Sequence, residues 1–91
     1  MKTIIEEKDL NKTVEVFDDS EKLVFSKKIY DKYAIQSISE IFFHKVSTSI
    51  IDDWHIIDVY KENTSDSKDV MIAEIKIDKK YLSTFNYWVC L

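Results

Sequence analysis

The chain has 91 residues, 13 lysines against 17 acidic residues, a formal charge of −4, and no glycine, proline or arginine. Without glycine there is no phosphate-cradling loop of the familiar kinds, and without arginine the side chain best shaped for a bidentate grip on phosphate is missing. A composition of 45% hydrophobic and 13% aromatic residues excludes a disordered chain, and the length fits a single compact domain over 1–91.

The first ten residues set Ile4, Ile5 and Leu10 among charges, a pattern open to either a short helix or a strand. Residues 13–17 are β-branched and bounded by polar residues, which predicts a strand. Asp18-Asp19-Ser20-Glu21 predicts a turn, because Asp and Ser side chains bond readily to nearby backbone. A second strand is expected over 22–29, with Leu23, Phe25 and Ile29 on one face and Val24, Ser26 and Lys28 on the other, closing an antiparallel hairpin. From Ser37 the spacing becomes helical. Ile38, Ile41, Phe42 and Val46 form a stripe, Ser37 and Glu40 fit a capping box, and a helix is predicted over 38–47 that weakens through the β-branched run to Ile51.

Asp52–Asp53 break that run, and Trp54–Tyr60 predicts a strand. Residues 63–67 read as a loop. Val70–Ile77 reads as a strand with Met71, Ala73, Ile75 and Ile77 on one face and Glu74 and Lys76 on the other. Asp78 is placed to cap a terminal helix over 79–85, and residues 86–91 fit helix or strand equally. The expected fold class is α+β, a small antiparallel sheet with one or two packed helices. An all-β fold is the alternative, since 33–46 holds enough isoleucine and phenylalanine for strands. Phe42, Val46, Ile56 or Ile57, Ile75 and Leu82 are expected to share one core.

The residues that could carry chemistry are sparse. His44, His55 and Cys90 lack the spacing of a zinc knuckle, so no metal site, no cofactor and no catalytic residue is expected. Any small enzyme or ligand-binding protein would have to use the region of Asp52, Asp53 and His55, with Asp58. One cysteine forms no intrachain disulfide, and acids follow Ile4–Ile5 directly, which argues for the cytoplasm over secretion. The apolar runs are too short for a membrane span. Lysines lie beside aromatics at 25–30 and 79–81, but acids surround them and the adjacent pairs Lys27–Lys28 and Lys79–Lys80 read as solvated, so direct nucleic-acid binding is not expected.

The carboxylates offer more. Glu15, Asp18, Asp19 and Glu21 mark one acidic region, and Asp52, Asp53, Asp58 and Glu62 a second, with Trp54 and Tyr60 as aromatic anchors. These residues are expected to meet a basic surface on a protein partner, making the chain a small acidic inhibitor or regulator. In its sharpest form the partner surface is the nucleic-acid groove of a nuclease or defence protein. An immunity protein against a toxin is another form of the same reading, and a homo-oligomeric module, a homodimer built on the aromatic C-terminal region, is an alternative of a different class.

Overall fold

The computed structural model describes residues 1–31, 45–61 and 70–85. Within them the chain forms six strands: β1 (Lys2–Lys8), β2 (Asn11–Phe17), β3 (Leu23–Ile29), β4 (Lys45–Ile51), β5 (Trp54–Lys61) and β6 (Val70–Asp78). They make one antiparallel sheet in the order β1-β2-β3-β6-β5-β4. Two three-stranded meanders thus meet along β3 and β6, and Tyr30 N–H extends that seam by donating to Ile72 O at 2.8 Å.

The strands predicted at 13–17, 22–29, 54–60 and 70–77 are all present, and the ambiguous first segment is β1. The α+β expectation is corrected to all-β. Among the described residues the helical part is a 3-10 turn at Lys79–Tyr81. Asp78 caps it as foreseen, accepting the Lys80 N–H at 2.9 Å. The predicted α-helix does not follow: Phe85 N–H reaches Tyr81 O, and the intervening residues form turns. Of the helix expected over 38–47, residues 38–44 lie outside the described residues, while Lys45 and Val46 open β4. The reason is local. Val46, Thr48 and Ile50 alternate with serines, and β-branched side chains fit a pleated strand better than a helix turn.

Alternation sorts the side chains into two faces. The registers place Val14, Val16, Phe25, Ile29, Ile57, Val59, Ala73, Ile75 and Ile77 on one face, and all of them are buried. Phe85 folds over the middle of this face, its ring 4.8 Å from that of Phe25, with Tyr81 and Leu82 packed beside it. Ile57, Ile75 and Leu82 therefore join the core as expected. Val46 does not, being 40% exposed on an outer strand, and Phe42 lies outside the described residues. Lys27, read from sequence as solvated, is also corrected: it is buried between Val14 on β2 and Ile75 on β6, while Lys28 is exposed.

Two bulges, where β3 meets β2 and where β6 meets β5, place Val24 and Ile72 as extra residues, and both are buried. With no glycine in the chain, the left-handed turn positions are filled by Asp9, Glu21 and Asp52, at φ 54°, 63° and 54°.

Candidate functional site

The antiparallel order brings two turns distant in sequence to one end of the sheet. The β2–β3 turn and the β4–β5 turn both lie there, about three strand spacings or roughly 14 Å apart, with the end of β6 between them. Asp18, Asp19, Glu21, Asp52 and Asp53 are consequently gathered on one rim.

Within this rim some carboxylates build the structure and others face outward. Asp18 Oδ1 accepts from Ser20 N–H at 2.8 Å and from Lys22 N–H at 2.9 Å, so its charge is engaged in holding the turn. Asp78, 3% exposed, caps the 3-10 turn and receives Lys22 Nζ at 3.4 Å on Oδ2. The Lys80 backbone bond, outweighing desolvation, together with Lys22 holds the Asp78 carboxyl below the ordinary carboxylate range. Lys79 N–H donates to Asp53 O at 2.8 Å, fastening the second turn to the end of β6. Asp19, Glu21, Asp52 and Asp53 remain as exposed acids, with Asp19 Oδ1 accepting from the Met1 ammonium at 3.3 Å. Lys79 and Lys80, also exposed, stand in the chain segment between the two acidic turns.

The other predicted site residues are dispersed. Trp54 is half-buried at this same end, opposite Ile51 and Asp78 in the registers. Glu15 lies on the polar face, paired with Ser26 and half-buried. Tyr60 is at the far end of β5, opposite Met71, and does not approach the rim. Glu62 lies outside the described residues, as do His44 and Cys90.

Asp58 sits in mid-sheet directly opposite Glu74, and Oδ1 of Asp58 is buried with no hydrogen-bond partner. Burial first and the Glu74 charge second push its carboxyl above the ordinary value, partly countered by Lys76, whose Nζ is 3.8 Å from Glu74 Oε1. Neither Glu74 nor Lys76 was foreseen as part of the site. Their alternation along β6 was legible, but the pairing of β5 with β6 was not.

His55 and Asp58 are an odd number of residues apart on one strand, so they point to opposite faces. His55 lines an apolar hollow of about 600 Å³ with Thr48, Ile50, Ile57, Leu82 and Phe85. The His55–Asp58 pairing considered from sequence is therefore not assembled. Among the described residues no group of three or more His, Cys, Asp or Glu side chains is arranged to hold a metal ion, and no helix is long and apolar enough to cross a membrane. Comparison with protein-family models, with curated proteins and with solved structures gives no match for this chain.

Proposed function

We propose that this chain is a small protein-binding inhibitor or regulator that presents its acidic rim to a basic surface on another protein. The observation that supports it is the convergence of the 18–22 and 52–53 turns on one end of the sheet, with Asp19, Glu21, Asp52 and Asp53 exposed there. A rim of this kind spans roughly 14 Å, enough to meet several cationic side chains, and it sits on hydrogen-bonded turns that lose little freedom on binding. Carboxylates set along such a rim resemble a short run of phosphates in charge, so a nucleic-acid groove on a nuclease or defence protein is a fitting target. An immunity protein would use the same rim against a toxin.

The test compares the native chain with the variant Asp19→Asn, Glu21→Gln, Asp52→Asn, Asp53→Asn as bait in affinity capture, at low and high salt. A partner held by the native rim, released by salt and missed by the neutralised variant, supports the reading. The captured protein is then assayed for nucleic-acid binding with and without the chain present. Equal capture by both baits, or capture insensitive to salt, removes the electrostatic rim as the binding surface.

A further inference from the structure

The two outer strands of the sheet differ in how they meet solvent. An edge strand exposes a row of unpaired backbone groups, and proteins usually guard it with charge, proline or a bulge. β1 carries Lys2, Glu6, Glu7 and Lys8. β4 reads Lys-Val-Ser-Thr-Ser-Ile-Ile, has its one charge at the end, contains no proline and pairs with β5 without a bulge. All seven of its residues are exposed, Val46 at 40%, Ile50 at 68% and Ile51 at 56%. Among the described residues no strand lies on its outer side.

We propose that β4 pairs antiparallel with β4 of a second copy of this chain, about a two-fold axis through Thr48, joining two six-stranded sheets into one. The strand is nearly palindromic about that residue. In this register Thr48 faces Thr48 of the second copy, Ser47 faces Ser49, and Val46 faces Ile50. The axis is perpendicular to the sheet, so the apolar face of one copy continues into that of the other. The exposed Val46 and Ile50 become cross-strand partners beside the hollow that Thr48 and Ile50 already line. Lys45 comes opposite Ile51, next to the acidic Asp52–Asp53 turn of the second copy.

The backbone is also correctly disposed. Ile51 and Trp54 flank a two-residue turn, and such a turn is closed by a bond between its first and fourth residues. Ile51 therefore directs its polar groups toward β5. Alternation turns those of Val46, Thr48 and Ile50 outward, where the proposed register pairs all three with their counterparts. The same operation on β1, centred on Ile5, would set Lys2 against Lys8 and Ile4 against Glu6, so self-pairing selects β4. The axis at Thr48 lies four residues, roughly 14 Å along the strand, from Asp52, the nearest acid of the rim.

Sedimentation equilibrium from about 1 µM to about 1 mM reads the association directly. The expected result is a monomer–dimer equilibrium that Thr48→Lys, which sets two ammonium groups face to face at the axis, weakens about fivefold. Circular dichroism checks that this variant remains folded. Independently of that variant, Thr48→Cys in a Cys90→Ser background is expected to cross-link into a dimer under mild oxidation. Ser47→Cys in the same background is not, because its symmetry mate stands about 7–8 Å away on the diagonal. A native chain monomeric throughout the range, a dimer unmoved by Thr48→Lys, or equal cross-linking at positions 47 and 48 overturns the proposal.

Discussion

At the scale of single residues, the absence of glycine has a measurable cost. Glu21 occupies the left-handed region at φ 63°, where its Cβ crowds the following carbonyl. Asp9 and Asp52 tolerate the same region better, because a short polar side chain can bond locally. Glu21→Gly is expected to raise stability by about 1 kcal/mol, the strain relieved less the extra freedom of glycine in the unfolded chain. Glu21→Val, β-branched, is expected to lower it, and denaturation midpoints at constant slope would show both.

Asp58 supplies the second residue-level test. Its carboxylate is set against Glu74 across the strand pair with one oxygen buried and unbonded, so the charged form is disfavoured in the folded protein. Asp58→Asn is expected to stabilise the fold at pH 7 by about 0.5 kcal/mol, the range of a like-charge cross-strand contact. The folded pKa lies above the reference 3.8, so the native state takes up the proton first as pH falls. The wild type therefore gains stability as pH drops through the raised folded value, and the advantage of the variant shrinks toward pH 3.8. Thermal melts of both proteins between neutral and acid pH give the comparison. An advantage that persists unchanged in acid would mean that the charge at Asp58 is not its source.

At the scale of elements, the short 3-10 turn after β6 is held by the Asp78 cap together with the packing of Tyr81 beside Phe85. Asp78→Ala removes the cap on Lys80 N–H and leaves Lys22 without its ion pair, with an expected loss of about 1–2 kcal/mol. The lowered pKa fixes the direction with pH. The ionic part of that contribution is present above 3.8 and disappears as pH falls through the depressed folded value, so wild type and variant should converge in strong acid. A constant difference at all pH values would mean that the charge of Asp78 strengthens neither the cap nor the Lys22 contact. β2, β3, β5 and β6 were legible because β-branched and aromatic runs are bounded there by turn residues. The bulges nevertheless overturned two predicted faces: Val24 joins Phe25 in the core, and Met71 pairs with Tyr60, off the face of Ala73. The element-level reading of the sequence failed at Lys45–Ile51 because Ile38, Ile41, Phe42 and Val46 happen to fall at helical spacing and run directly into the strand.

At the scale of the whole molecule, the pairing of β3 with β6 decides where everything else lies. It forms the centre of the sheet, places Phe85 over Phe25, and carries the β4–β5 turn to the same end as the β2–β3 turn. The gathering of acids on one rim and, among the described residues, the outer position of β4 are both consequences of that order. Composition and local pattern alone determined that strands occupy 13–17, 22–29, 54–60 and 70–77, that the segments 18–21 and 52–53 are acidic, and that the sequence carries no familiar phosphate-loop or zinc-knuckle spacing. Tertiary structure decided which acids share a rim, that Lys27 is buried, that Asp58 opposes Glu74, and that β4 is an edge. The physical reason is that period and propensity act over a few neighbouring residues. Strand order is set by contacts between residues far apart in the chain, whose apolar faces must be buried together and whose partners no local pattern names.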